Sequence, residues 1–270
     1  MARFQSQSSA SGRGRDAGGD IPTVIQWNCR SLKKKKADMI LRWGLSHSGR
    51  KPALLCLQEV NGPVPRLPGY EGYGSPEDPG TPTRTAMYVD RTLTHTRLDT
   101  DPWCSSSASV TGCRLQLASK RTMVVFSVYL NPENTRNKSK RSPADLSFIP
   151  HFQKVYRSEE VLVCGDVNAQ HIAWNYTKCS PHGRRILGDL DHYGLTLLNL
   201  PQAHTRLGQD RRQADTTPDL TWASRPSQFR WSLLEDPLGS YHLPIAITVK
   251  KDTTSTRRSN RLKRECKVTH

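Results

Sequence analysis

With 270 residues the chain is long enough for one large domain or two small ones, and 35% hydrophobic residues suffice for a core once the polar ends are set aside. The 40 Lys and Arg outnumber the 24 Asp and Glu, giving a formal charge of +16. Such an excess either attracts polyanions, nucleic acid first among them, or serves only solubility. No apolar run reaches the ~18 residues of a membrane span, and the N-terminus has no signal-peptide core, which argues against membrane and secreted classes.

In chain order, residues 1–20 are Ser, Gly, Arg and Asp with almost nothing apolar, and are expected to form a disordered tail. Short runs rich in β-branched residues predict strands over Thr23–Asn28, Ala53–Gln58, Thr85–Val89 and Thr122–Leu130, with a weaker one over Cys113–Leu117. Further strands are predicted over Val161–Gly165, Leu195–Asn199, Asp219–Trp222 and Leu243–Val249. Helical spacing marks Leu32–Leu45, Ala144–Tyr156 and Arg184–His192, the last stopped by Gly194. The run Lys33–Lys36 is either a basic contact patch or the solvated start of a helix. Pro- and Gly-rich Gly62–Pro82 reads as a long surface loop, and no internal repeat is evident. Residues 251–270 form a second expected disordered tail, whose Arg257, Arg258, Arg261, Lys263, Arg264 and Lys267 suit a contact arm or a nuclear-import patch. One domain is therefore expected over residues 21–250. Many short strands with few helices predict an α/β (α+β) four-layer sandwich, two mostly antiparallel sheets face to face with helices outside.

The seven cysteines are odd in number and lack a Cys-x-x-Cys spacing. Cys56 and Cys164 sit in apolar runs as small hydrophobes. A reducing compartment, nuclear or cytoplasmic, and no disulfide framework are expected.

Several strands end in polar residues with no place in a core. Asn28 closes the first, Glu59 follows the second, Asp166 and Asn168 follow Val161–Gly165, Asp219 opens a late strand, and His242 precedes the last. Singly, each suits a turn residue, a solvated carboxylate or a satisfied histidine. Together they carry chemistry. Glu59 and Asn28 offer oxygen ligands to a hard cation such as Mg²⁺ or Mn²⁺. An Asp–His pair provides a general base or an electrophilic stabiliser for phosphate chemistry.

Six motifs stand in one order: Gln26-Trp-Asn-Cys-Arg-Ser31, Leu57-Gln-Glu59, Val128-Tyr-Leu-Asn-Pro132, Cys164-Gly-Asp-Val-Asn-Ala169 with His171 and Trp174, Thr217-Pro-Asp-Leu-Thr-Trp222, and Gly239-Ser-Tyr-His-Leu-Pro-Ile245. Over residues 21–249 this resembles the exonuclease–endonuclease–phosphatase superfamily, and within it the apurinic-site-like endonuclease domain of non-LTR (LINE-type) retrotransposons. The resemblance implies a metal-dependent DNA endonuclease with DNA as partner and no small-molecule cofactor. It makes Glu59 the main metal ligand with Asn28 beside it, and Tyr129 a contact to the scissile phosphate. It has Asp166 orient or activate water, Asn168 support the phosphate and transition state, and His242, held by Asp219, donate to a phosphate oxygen. Thr221 and Ser224 match further polar positions of the pattern.

One position departs from the family. Where the pattern reads Ser-Asp-His, this chain has Ser240-Tyr241-His242. A neutral, bulkier phenol replaces a carboxylate, so impaired hydrolysis is expected, by about 10²-fold if the lost group resembles other single transition-state donors. The alternative is a degenerate remnant that binds nucleic acid without cutting it, and a phosphatase of the same fold ranks third. Such domains usually precede a reverse transcriptase. None is present in this sequence, so a fragment, a decayed copy or a domesticated domain is expected. The segment Gln202–Asp215, with Arg206, Arg211 and Arg212, and the loop Gly62–Pro82 are either DNA contacts or ordinary variable surface.

Overall fold

The computed structural model describes residues 23–33, 36, 38, 40, 51–76, 82–117, 121–132 and 146–250. Both expected tails and most of the predicted helix Leu32–Leu45 lie outside the described residues, as do Lys34 and Lys35 of the basic run. Twelve strands are described: β1 Thr23–Asn28, β2 Leu54–Gln58, β3 Tyr70–Gly74, β4 Thr85–Asp90, β5 His95–Leu98 and β6 Ala108–Gln116. There follow β7 Thr122–Leu130, β8 Glu160–Asp166, β9 Thr196–Leu197, β10 Asp219–Ala223, β11 Phe229–Leu233 and β12 Ile245–Val249. The helices α1 Phe148–Val155 and α2 Pro181–His192 fall between them.

The strands form two six-stranded sheets, ordered β11-β12-β1-β2-β4-β3 and β5-β6-β7-β8-β10-β9. Each is antiparallel except for one central parallel pair, β1–β2 and β7–β8. Adding six to each strand number, cyclically, turns one order into the other. The topology thus repeats where the sequence does not, and each half lends its closing hairpin, β5–β6 or β11–β12, to the other half's sheet.

Alternation along the strands builds the layers. In β1, Val24 joins Leu54, Cys56, Met87, Cys113, Val125, Leu162 and Cys164 between the sheets. Its neighbours Ile25 and Trp27 turn outward and pack with Leu55, Leu57, Tyr88 and Ile40. On the outer face of the other sheet, Val124, Phe126 and Val128 are covered by Phe148, Ile149 and Phe152 of α1 and by Ile186 and Leu190 of α2. All six cysteines among the described residues are free, with Cys56 and Cys164 fully buried.

Polar clamps lock the sheets together toward one end. Gln26 Nε2 donates to Gly165 O at 3.3 Å and Leu220 O at 3.1 Å, while its Oε1 accepts from Thr221 Oγ1 at 2.7 Å. Gln58 Nε2 donates to Ser127 Oγ at 2.9 Å. Buried and bonded across the sheets in this way, such groups fix sheet register rather than float in an apolar slab.

Three strands go beyond the sequence expectation. The loop predicted over Gly62–Pro82 contains β3, an edge strand whose Tyr70 and Tyr73 are buried. Gly72 hid it, because it lowers strand propensity, yet it is needed there: a Cβ would lie 2.7 Å from the Tyr88 ring. Edge strand β5 is largely polar, and β11 alternates cleanly in a stretch where no strand was predicted. Conversely, the strand predicted over Leu195–Asn199 shortens to two residues. Asn199 leaves the ladder and spends its side chain on β10, donating to Asp219 O at 2.9 Å and accepting from Thr221 N at 2.8 Å. The strand predicted from Leu243 starts only at Ile245, after Pro244, which has no N–H to offer a ladder.

Candidate active site

The carboxyl ends of both parallel pairs lie at one end of the sandwich. Asn28 ends β1 opposite Gln58, so Glu59 emerges beside it. Tyr129 on β7 stands in register with Asp166 at the end of β8, and Asp219, opening β10, faces Asp166 from the other side. The symmetric topology therefore delivers Asn28 and Glu59 from one sheet, and Tyr129 and Asp166 from the other, to a single seam.

Asn28 is the junction. Its Nδ2 donates to Glu59 Oε1 at 3.0 Å and to Asp166 Oδ2 at 2.7 Å, and its Oδ1 accepts from Arg30 N at 3.1 Å. Asp166 Oδ1 accepts from Asn168 N at 3.1 Å, and Asn168 Nδ2 is anchored on Leu130 O at 3.0 Å. Asp219 Oδ2 accepts from Thr205 Oγ1 at 2.8 Å and lies 2.8 Å from His242 Nδ1. Donating Nδ1–H to that carboxylate leaves Nε2 of His242 for chemistry. The His242 backbone is fixed on both sides, its O accepting from Trp27 Nε1 at 3.0 Å and its N donating to Ser240 Oγ at 3.2 Å. Ser240 Oγ in turn donates to Asn28 O at 2.8 Å, tying the histidine loop to the end of β1.

The backbone is strained here. Arg30, Ser31, Glu59, Asn61 and Asn168 all have φ between 44° and 78°. Asparagine tolerates the left-handed region, whereas for Glu59 it costs energy, of order 1–3 kcal/mol. The bonds Ser31 N to Glu59 O at 2.6 Å and Val60 N to Arg84 O at 3.2 Å hold the Glu59 turn in place.

Electrostatically the seam carries more negative charge than its own cations neutralise. Burial, with Asp219 nearby, pushes the Asp166 carboxyl up to about 7, against the lowering effect of His242 and Asn28. For His242 burial works against the charged form, but the Asp219 carboxylate outweighs it and the imidazole titrates above its ordinary value. The Tyr129 hydroxyl is held far above its usual range by burial and by Glu59 and Asp166, so it stays a neutral donor. Asp219 Oδ1 is buried with no hydrogen-bond partner.

The seam collects all seven residues singled out in the sequence: Asn28, Glu59, Tyr129, Asp166, Asn168, Asp219 and His242. Thr221 and Ser224 lie elsewhere. Thr221 is buried in the inter-sheet clamp, also accepting from Trp231 Nε1 at 3.2 Å, and Ser224 accepts from Val161 N at 2.9 Å near the start of β8. Sequence reasoning passed over Thr205, Ser240 and Arg30. Ser240 lies inside a recognised motif, whereas Thr205 lies in the Gln202–Asp215 segment, which the sequence marks only by its arginines.

Helix α2 buttresses the Asn168 loop. Ser180 caps it, accepting from Gly183 N at 2.9 Å, and donates its own N–H to Gln170 O at 2.8 Å. A Cβ on Gly183 would meet Gln170 O at 2.1 Å. Gly183→Ala is expected to destabilise by about 1–3 kcal/mol through overpacking. At about 2–4 °C per kcal/mol, a thermal melt would register it, and an unchanged Tm would refute this tight packing.

Residues 123–246 match a family model described as endonuclease-reverse transcriptase. The fold matches the endonuclease domain of TRAS1, a telomere-specific non-LTR retrotransposon, with TM-score 0.65 and 18% identity over 86% of this chain and 100% of that one. The fold is the two-sheet sandwich of the exonuclease–endonuclease–phosphatase type. The same fold appears in the AP endonuclease LMAP from Leishmania major, at TM-score 0.62 and 14% identity over 91% of this chain and 93% of that one. TDP2 from Caenorhabditis elegans gives TM-score 0.56 and 15% identity over 89% and 77%. No curated protein sequence matches the chain.

Proposed function

We propose that the chain is a divalent-metal-dependent DNA endonuclease of the non-LTR retrotransposon type, hydrolysing one phosphodiester bond to leave a 3′-hydroxyl. The observation that carries this reading is the Asn28 amide donating at once to Glu59 and Asp166, which joins the two halves of the seam into one acidic site. The +16 charge supports a polyanionic substrate.

A metal ion fits the residues present. Two carboxylates share one amide, a third carboxylate has an orphaned buried oxygen, and oxygen donors suit a hard cation. Asp166, Asp219 and His242 offer ligand atoms within 4.8 Å of one another. Glu59 with Asn28 is the better holder, because Asp219 Oδ2 and His242 Nδ1 are already committed to each other. When bound, Mg²⁺ or Mn²⁺ would neutralise charge developing on the phosphate. The chain does the rest. Asp166 orients the attacking water and takes its proton. His242, held by Asp219, donates from Nε2 to a phosphate oxygen, and Tyr129 and Asn168 support the same group.

Tyr241 supports a second reading, a remnant that binds DNA without cutting it, because this exposed phenol stands where the superfamily pattern has a carboxylate. Plasmid nicking separates the two. Wild type is expected to nick supercoiled DNA slowly with Mg²⁺ or Mn²⁺, Glu59→Ala to stop it, and Tyr241→Asp to raise it, by about 10²-fold if the missing carboxylate acts like a single transition-state donor. No nicking by wild type or Tyr241→Asp, even with Mn²⁺, would sink the enzymatic reading. Salt-sensitive binding would then leave the second.

A further inference from the structure

Tyr241 is not an idle substitution. The residue is 38% exposed, and the Arg30 guanidinium carbon lies 4.3 Å from its ring centroid. Arg30 makes no ion pair or side-chain hydrogen bond among the described residues, although the seam beside it is rich in carboxylates. Its backbone is pinned in the left-handed region, with its N–H on Asn28 Oδ1. Lys36 Nζ docks on the same loop, donating to Cys29 O at 2.7 Å. Tyr241 is the immediate neighbour of His242, and Arg30 is two residues from Asn28. The stack therefore sits on the rim of the site, bridging the end of β1 to the loop before β12.

Stacking uses the face of a guanidinium and leaves its N–H donors free in the plane, the geometry that grips a phosphate bidentately. An aromatic support also removes part of the ordering cost of a long side chain. We propose that the Arg30–Tyr241 stack is a phosphate clamp, holding a backbone phosphate of the substrate strand next to the one cleaved. The substitution that takes a carboxylate from the site thereby adds a fixed cation to it. This inference rests on the nuclease reading for its ligand class.

The test is equilibrium binding of a short DNA duplex by the full chain across a salt series, with thermal melts to confirm folding. Arg30→Ala is expected to weaken binding about tenfold and to flatten the slope of log affinity against log salt by about one. Arg30→Lys should restore the slope but not the full affinity, since an ammonium has no fork. Tyr241→Phe should match wild type, because the ring face does the work. Tyr241→Ala should weaken binding, with a loss that does not add to that of Arg30→Ala. Arg230, exposed on β11 in register with Thr248 and so with the start of β1, lies at the far end of the sheet. Arg230→Ala therefore controls for net charge and should leave the slope unchanged. If wild type binds but Arg30→Ala keeps its affinity and slope, or if the two losses simply add, the clamp is refuted and the nuclease reading stands. If wild type does not bind the duplex even at low salt, both fall together.

Discussion

Asp166→Asn is expected to lower the nicking rate by about 10²–10⁴-fold, the range lost when a positioned general base is removed. Side-chain size barely changes, but the substitution removes both the charge and one of the two acceptor oxygens. Both oxygens of Asp166 accept from N–H groups, Oδ2 from Asn28 Nδ2 and Oδ1 from Asn168 N. An asparagine at 166 has one acceptor oxygen for these two donors. Whichever way its amide turns, an NH₂ group confronts an N–H, and rotation cannot cure it. Asn28 or the Asn168 loop must move, so Glu59, on the same Asn28 amide, is disturbed as well.

The fold should nonetheless survive. Burial and the Asp219 charge push the Asp166 carboxyl up to about 7, so ionising this carboxylate is costly in the wild-type protein. Removing it relieves that cost and offsets the unsatisfied donor, itself worth about 1–3 kcal/mol. Nicking lost with Tm preserved within a few degrees is the expected pair of results. A variant nicking within tenfold of wild type would remove Asp166 from the chemistry.

That such a site could be read before its geometry was known has a local cause. Asn28, Glu59, Asp166 and Asp219 stand at the ends of strands written in Val, Ile, Leu and Cys, where a carboxylate or amide breaks the pattern visibly. The strands β1 and β7 were legible to the residue because both faces are buried and apolar residues crowd them without alternation. What stayed hidden was non-local. The cyclic repeat lives in strand order, which no residue spells. β3 was masked by its glycines, of which Gly72 admits the Tyr88 ring. Thr205 matters only because its loop returns beneath Asp219, some 14 residues later in the chain. Tyr241 was legible as a departure, but its stack on Arg30 needs two loops from opposite ends of the sequence.

Asp219→Asn is expected to cost about 10²–10³-fold in nicking and also to change its pH dependence. The carboxylate has two partners on one oxygen, Thr205 Oγ1 and His242 Nδ1, both at 2.8 Å. An amide oxygen can keep both bonds but not the charge. The imidazole gains its cationic character from that charge, since burial alone would push it the other way. The sign follows directly. If the protonated ring donates to phosphate, activity falls as pH rises through the His242 pKa. Neutralising Asp219 lowers that pKa, so the fall must begin at a lower pH than in wild type. His242→Ala should erase this limb altogether. Pairing pH–rate profiles with melts distinguishes the roles, because a merely structural Asp219 would lower Tm while leaving the alkaline limb where it was. A profile for Asp219→Asn that superimposes on wild type after scaling would show that His242 does not act as the acid.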